Sequence, residues 1–473
     1  MPGRGLILAA PSSGSGKTLV PAGLLRHLSR RGIRVAAAKA GPDFIDPTFL
    51  AAAGGVPCIN LDPWAMRPET LGGLVAGLEA VSDIVLCEGV MGLFDGTGAD
   101  GEEGSTAELA ALTGWPVVLV VDVRRQGASV AALLRGFAGH QPGLPLAGVI
   151  FNRIASERHR VLLAGAVVRH LPGLAILGGL PADAALELPS RHLGLVPAAE
   201  VAASAAVLER AAGHVGEFLE VDRLLSLARG SRMTAPAAAP NLRPLGQRIA
   251  VARDDAFCFT YPATLDGWRN AGAELAFFSP TANEPPDRSA DAVYLPGGYP
   301  ELWVGRLAAG EHFFAGLRRA AAAGKPVYGE CGGYMVLGET LTEAGGQSYP
   351  MAGLLPFASS FAERRRSLGY RIATLVANTP LGRAGARFRG HEFHYAAVIR
   401  EGPGEALWSA TDATGSLLGQ CGLRRGTVFG SFIHLLDSSP AGPRYGDLAG
   451  LAADPDPLLA EDVVADSATA GRC

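Results

Sequence analysis

Gly5-Leu-Ile-Leu-Ala-Ala-Pro-Ser-Ser-Gly14-Ser-Gly16-Lys17-Thr18 sets the class of the fold. A short apolar run breaks into a glycine-rich turn, and from Leu19 the pattern becomes that of a helix. Phosphate binding by a strand, loop and helix needs that order. The backbone N–H groups of Ser13, Gly14, Ser15 and Gly16 and the helix N-terminus cradle phosphate oxygens, Lys17 neutralises them, and the Thr18 hydroxyl ligates Mg²⁺. The first glycine of the usual GxxxxGK[ST] pattern falls at Pro11, so the loop is a variant. A purely structural glycine turn is the alternative, and the coincidence of strand, loop, Gly-Lys-Thr and helix outweighs it. ATP and Mg²⁺ are the expected ligands.

Outward from this loop, apolar runs alternate with helix-length segments. Gly5–Ala10, Ile33–Ala38, Asp83–Cys87, Val117–Val121 and Ala147–Phe151 read as buried parallel strands, so the first half is expected to be a doubly wound α/β sheet. Ligands of such sheets gather at the carboxyl ends of strands. Three groups fall there. Asp43 and Asp46, in Lys39-Ala-Gly-Pro-Asp43-Phe-Ile-Asp46-Pro, are candidates to hold Mg²⁺ or orient a substrate, against a plain reading as turn formers. Glu88, closing an apolar run, is a second candidate Mg²⁺ ligand. Asn152, with Arg153 beside it, is a candidate contact for the nucleotide base, and equally an ordinary turn residue.

From Ser231 the sequence turns proline-rich without an apolar period, and a linker is expected over 231–247, between domains 1–230 and 248–440. The strand and helix rhythm then restarts with Arg248–Ala252, Leu275–Phe278, Ala292–Leu295 and Pro326–Gly329, which predicts a second α/β unit. Residues 441–473 are expected to be a loosely held tail.

The second half carries its own chemistry. Gly329-Glu-Cys331-Gly-Gly333 ends a strand in a tight turn of the nucleophile-elbow type, and a cysteine at the following helix N-terminus is expected to favour thiolate. The glycine pair of Leu295-Pro-Gly297-Gly298 supplies N–H groups near the turn, so Gly298 and Gly332 are the expected oxyanion donors. His434, after the short apolar run Thr427–Phe429, is the expected base. His391-Glu-Phe-His394 lacks the i, i+4 histidine spacing of a helical zinc site and is assigned a structural or substrate-side role.

Composition narrows the classes. The 473 residues hold 41 Lys+Arg and 45 Asp+Glu, a net charge of −4, which gives no field for gripping nucleic acid. Hydrophobic residues at 48% and charged residues at 18% exclude a mainly disordered chain. No run of about 18 apolar residues spans a membrane, and no signal-peptide pattern appears. Six scattered cysteines without a Cys-x-x-Cys fit a reducing cytoplasm.

Taken in order, the variant phosphate loop, KAGPDFIDP, CEGVMGLFDG, ARDDAFCFTYP, LPGGYPE, GECGGYM and RGHEFHY resemble the cobyrinic acid a,c-diamide synthase family, over nearly the whole chain up to about Ser439. The resemblance implies a fold of two parts: an N-terminal P-loop domain of the dethiobiotin-synthetase type and a C-terminal class I glutamine amidotransferase-like α/β domain. It implies ATP- and Mg²⁺-dependent amidation of the a and c acetate carboxylates of a corrin, cobyrinic or hydrogenobyrinic acid, with glutamine as nitrogen donor. Cys331 would then attack glutamine and His434 would act as its acid/base. Lys17 would serve the transferring phosphate, with Thr18, Asp43 and Glu88 around Mg²⁺ and Asp46 in substrate handling or catalysis. One departure stands out. The family of triad amidotransferases commonly has Glu two residues after the histidine, where this chain has Leu436, and the nearest carboxylate is Asp437. The third member is therefore left unassigned. Alanine- and arginine-rich usage leans toward a metal-free ring. A relative acting on other corrin side chains or on nickel-sirohydrochlorin, and more distantly a P-loop switch or partitioning ATPase, stay open at this point, as does a homodimer.

Overall fold

The structure is a computed structural model, and it describes residues 2–98, 100–186, 190–191, 194–195, 204–234, 241–363 and 365–439. The expected tail and residues 235–240 of the expected linker lie outside the described residues. The described residues form one compact unit.

Seven parallel strands make the first sheet: β1 (Arg4–Ala9), β2 (Val35–Ala40), β3 (Cys58–Leu61), β4 (Ile84–Glu88), β5 (Val117–Asp122), β6 (Leu146–Ile154) and β7 (Ala175–Pro181), in the order β3-β2-β4-β1-β5-β6-β7. Leu6 to Leu8 and Val117 to Val120 are wholly buried, as unbroken apolar strands covered on both faces must be. β1 lies between β4 and β5, where the strand order reverses, so the loop after it opens into the crevice such sheets use for ligands. All five expected strands are present, displaced by at most three residues at their ends. Those shifts matter: Lys39 and Glu88 are strand residues with buried side chains. β3 and β7 were not expected. One is four residues long and the other carries Gly178 and Gly179, so neither presents a clear apolar run.

The second sheet has ten strands: β8 (Arg248–Ala252), β9 (Glu274–Phe278), β10 (Ala292–Leu295), β11 (Val327–Glu330), β12 (Ser367–Leu375), β13 (Arg387–His394), β14 (Glu405–Asp412), β15 (Leu417–Arg425), β16 (Val428–Ser431) and β17 (His434–Ser438). Their order is β9-β8-β10-β11-β16-β15-β14-β12-β13-β17. The first five in that order are parallel and the rest antiparallel. The expected rhythm accounts for the parallel half. The run at Thr427–Phe429 falls in β16, the last of the parallel strands, and the antiparallel half was not expected, because β12 and β15 are only partly buried and their glycines and arginines blur any alternation. A four-stranded side sheet joins Thr340–Thr342, Ser348–Pro350, Phe357–Ser360 and Ala397–Glu401.

The two sheets meet through specific polar contacts. Arg67 donates its backbone N–H and Nε–H to Asp437 at 2.8 and 2.9 Å. Tyr370 donates to Asp62 at 2.8 Å and stacks on Trp64, and Arg389 donates to the Trp64 carbonyl at 2.7 Å. Of the expected linker, Ser231 donates to Glu79 on the first side, while Leu242 and Leu245 are buried in the core of the second.

Candidate active site

The turn after β1 is built on two left-handed glycines, Gly14 at φ 79° and Gly16 at φ 78°, positions where a side chain is strained. Gly16 also has no room for one, since an added Cβ would collide with the Asn152 amide. Ser13 is exposed, and Ser15 donates its hydroxyl to the Ser12 carbonyl at 2.8 Å. Asn152 donates to the Ser15 carbonyl at 2.9 Å and Arg153 to the Gly14 carbonyl at 2.9 Å, so both brace the turn. That differs from the expected base contact. The two residues nevertheless line, with Gly16, Leu19, Leu180 and Pro181, a cavity of about 270 Å³ beside the turn. Its mixed lining suits a flat heteroaromatic ring carried on a phosphate chain.

Lys17, Lys39, Glu88 and Asp46 share one buried charge network. Thr18 donates to Glu88 Oε1 at 2.8 Å, and Lys39 Nζ lies 3.3 Å from that oxygen while donating to Asp46 at 2.8 Å. Burial pulls the Lys39 ammonium down, but the Glu88, Asp46 and Asp43 carboxylates outweigh it and hold it above its usual range. Burial, with Lys39 nearby, brings Lys17 down to about 8, and its ammonium donates to the Met91 carbonyl at 2.6 Å. Glu88 Oε2 is buried with no partner. A buried carboxylate oxygen left unpaired next to a hydroxyl fits a hard cation, which Mg²⁺ is, because that ion takes only one or two protein carboxylates and fills its remaining positions with water and phosphate. Asp43 does other work. Its carboxylate accepts from the Ile45 and Asp46 N–H groups at 2.9 and 3.3 Å, capping the Pro42–Asp46 turn. Thr18 and Glu88 are therefore brought together as expected, while Asp43 is set as a turn cap.

On the second sheet the strand-to-helix break is sharp. Cys331 has φ 46°, a conformation that costs a residue with a side chain on the order of 1–3 kcal/mol and that concentrates at functional sites. It separates β11 from the helix Gly332–Leu337. An added Cβ on Gly332 would lie 3.1 Å from Gly298 N, so the two expected oxyanion residues adjoin. On Gly297 it would lie 3.3 Å from Cys331 Cβ and collide with His434, so thiol and imidazole flank that one glycine. Neither is accessible: Cys331 is 3% and His434 1% exposed. Burial, reinforced by Glu301, pushes the Cys331 thiol well up despite an N–H from Gly332, and burial with His391 and His394 nearby holds His434 well below its usual value. Both shifts favour the uncharged thiol and imidazole in this closed arrangement, the opposite direction from the expected thiolate.

The cover over this pair comes from the other sheet. Phe44, between Asp43 and Asp46, packs its ring 4.9 Å from that of His434 and 5.6 Å from His391, and stacks on Phe259 and Tyr261 at 5.0 and 4.4 Å. Tyr261 reaches the Pro42 carbonyl at 2.9 Å and His391 Nε2 at 2.7 Å, so its hydroxyl ties the Pro42–Asp46 loop to the histidine. His391 is stacked parallel to His434 at 5.0 Å. His394 points elsewhere, to Glu392 and the Ala396 carbonyl, because residues three apart on a strand face opposite ways. This removes any shared ligand role for the two histidines. Among the described residues no group of three His, Cys, Asp or Glu is placed to hold a metal.

The same strand geometry settles Asp437. It lies three residues beyond His434 on β17, is fully buried, and is held by Arg67. The carboxylate that does approach His434 is Glu330, whose Oε2 is 3.9 Å from His434 Nδ1. That nitrogen is buried and has no hydrogen-bond partner, a state worth about 1–3 kcal/mol of lost solvation. Sequence reasoning missed Glu330 and Phe44. Both stand inside motifs it singled out, and the only available signal was a glutamate closing a buried strand one residue before the nucleophile.

Comparison with known proteins matches each half separately. Residues 6–196 fit the CobQ/CobB/MinD/ParA nucleotide binding domain, and residues 248–441 fit the CobB/CobQ-like glutamine amidotransferase domain. Among curated relatives, hydrogenobyrinate a,c-diamide synthase of Brucella anthropi is 50% identical over 436 residues, covering 92% of this chain and 98% of that one. The protein of the same name from Sinorhizobium sp is 51% identical over 442 residues, covering 92% and 99%. That from Mesorhizobium japonicum is 49% identical over 442 residues, covering 93% and 100%. With a phosphate turn and a cysteine elbow in one compact unit, and with this identity end to end, the chain belongs to the hydrogenobyrinate a,c-diamide synthase family.

Proposed function

We propose that this enzyme converts the a and c acetate carboxylates of hydrogenobyrinate, the metal-free corrin acid, to amides, using ATP and glutamine. One observation carries the reading: a single loop, Pro42–Asp46, places Asp46 in the charge network of the phosphate turn and Phe44 on the histidine of the cysteine elbow. A carboxylate does not react with ammonia until it is activated, so a nucleotide site and a nitrogen-releasing thiol must cooperate. Transfer of the ATP γ-phosphate to a corrin carboxylate gives an acyl phosphate. Cys331 attacks the glutamine carboxamide carbon, and His434 takes the thiol proton and returns it to the departing ammonia. Gly298 and Gly332 N–H groups face the oxyanion. Water then releases glutamate from the thioester, and ammonia displaces phosphate from the acyl phosphate. Each amide thus consumes one ATP, one glutamine and one water, and yields ADP, phosphate and glutamate.

Lys17 holds the phosphate being transferred, Lys39 holds Asp46 below the usual carboxylate range and opposes the upward push of burial on Glu88, and Asp46 orients the corrin carboxylate. Thr18 and Glu88 would hold Mg²⁺, which when bound neutralises charge on the phosphate oxygens. Residues 1–230 are assigned to the activating step and 248–440 to glutamine hydrolysis. Among the described residues the five cysteines are free thiols, which fits a cytoplasmic enzyme, and no helix is long and apolar enough to cross a membrane. Incubation with ATP, glutamine and either the metal-free or the cobalt-containing acid, followed by mass spectrometry, tests the substrate. Two carboxyl-to-amide conversions on the metal-free ring are expected. Turnover only with a different macrocycle overturns the proposal.

A further inference from the structure

We infer that Glu330, the residue immediately before the nucleophile, is the carboxylate that orients His434 during glutamine hydrolysis. Glu330 ends β11, is 3% exposed, and among the described residues is the acidic group paired with His434 Nδ1. Its oxygens are held in place. Tyr328 donates to Oε1 at 2.8 Å, the Leu435 N–H reaches the same oxygen at 3.3 Å, and Tyr294 donates to Oε2 at 2.9 Å. Oε2 keeps a lone pair, and 3.9 Å away His434 Nδ1 is the buried ring nitrogen without a partner. A buried ring nitrogen without a partner, 3.9 Å from a carboxylate oxygen that can accept a second bond, needs only a small movement to reach it, and catalytic hydrogen bonds are often long before substrate binds. Phe44 and His391, which also contact each other, both pack on the His434 ring, so displacement of Phe44 gives the ring room for that movement. Closing the contact places the proton on Nδ1 and leaves Nε2 as the base for the Cys331 thiol.

Charge is the second argument. Two tyrosines and an amide would be equally satisfied by glutamine, which pays no penalty for burying a charge. The chain keeps a glutamate although burial pushes its carboxyl up to about 7. The groups facing this pair are Tyr294 and Tyr328 around Glu330, His391 and His394 around His434, and Glu301 and Glu392 near Cys331. Glu330 acts through His434 and is a positioning residue.

The assignment rests on Cys331 and His434 being the glutamine-hydrolysing pair, and the test separates the two. Full-length wild type, Glu330→Gln, Glu330→Asp and Cys331→Ala are assayed for amidation driven by glutamine and by ammonium chloride, with thermal melting as a fold check. Glu330→Gln is expected to lower kcat for glutamine roughly tenfold to a hundredfold with little change in KM, as loss of an orienting partner does, and Glu330→Asp to recover part of it. The acid limb of the wild-type glutamine pH profile near 7 is expected to be missing in Glu330→Gln, which a merely structural role would not produce. If Cys331→Ala still hydrolyses glutamine, the reading of the pair fails. If Cys331→Ala is inactive with glutamine while Glu330→Gln keeps the wild-type kcat and acid limb, the inference about Glu330 fails alone.

Discussion

The phosphate turn and the cysteine elbow answer the problem of a buried charge in opposite ways. Around the turn, two lysines, two carboxylates and a hydroxyl neutralise one another, so Lys39, Asp46 and Glu88 stay buried with charge-bearing partners. Around the elbow, aromatic rings replace partners, and burial favours the uncharged thiol and imidazole. The first site is set up before its substrates arrive. The second is covered, with Phe44 packed 4.9 Å from the His434 ring. Phe44 sits between Asp43, which caps the turn, and Asp46, which accepts from Lys39, so the cover and the charge network share one loop.

Substitutions can break that contrast, beginning with the most severe. Cys331→Ala is expected to cost at least about a thousandfold in glutamine-driven amidation, while ammonium-driven amidation survives; persistent glutaminase activity would remove Cys331 as nucleophile. Glu88→Gln is expected to depress amidation from either nitrogen source by roughly a hundredfold or more and basal glutamine hydrolysis far less. Near-normal amidation in that variant would sink the cation assignment at Thr18 and Glu88. Phe44→Ala sharpens the comparison from the other direction. Removing the cover should raise glutamine hydrolysis in the absence of ATP and corrin by about tenfold, the equivalent of roughly 1.4 kcal/mol of closure, and lower the amide formed per glutamine consumed. An unchanged ratio of glutamate to amide would show that Phe44 does not couple the sites.

The smallest expected effect concerns the contact between the sheets. Burial, partly offset by Arg67, pushes Asp437 up to about 6, and burial does the same to Asp62. Both sit above the ordinary carboxylate value, so the folded state binds these protons more tightly than the unfolded chain. Their contribution is present below about pH 4 and is lost as pH rises through 6, on the order of 1–3 kcal/mol for each group. Asp437→Asn should flatten that part of a melting-temperature profile, and a slope identical to wild type would show that the buried Asp437 carboxyl carries no such linkage.

Much of the first site was legible because phosphate chemistry demands contiguous residues: Gly14 to Thr18 are adjacent in sequence and act together in space. Glu88 was legible from its place at the end of an apolar run. The second site was readable only at Cys331 and the glycines beside it, where a strained turn needs small neighbours. His434 stood out as a histidine in an apolar setting, but what surrounds it did not. Asp437 looked the nearer carboxylate along the chain, yet the alternation of a strand turns it toward Arg67, while Glu330 arrives from β11, more than a hundred residues earlier. The antiparallel half of the second sheet escaped notice for a related reason, since partly exposed strands have little apolar pattern to read.

By itself, then, the order of residues determined two chemistries and the alternating α/β frame that presents them, because nucleotide loops and nucleophile elbows are local devices whose backbone requirements are written in neighbouring side chains. Tertiary structure alone decided which histidine ring meets which carboxylate, that Asp43 caps a turn, and that an aromatic side chain of one half closes the reaction site of the other. Those outcomes depend on strand register and on surfaces brought together from distant parts of the chain, and no short-range pattern encodes them.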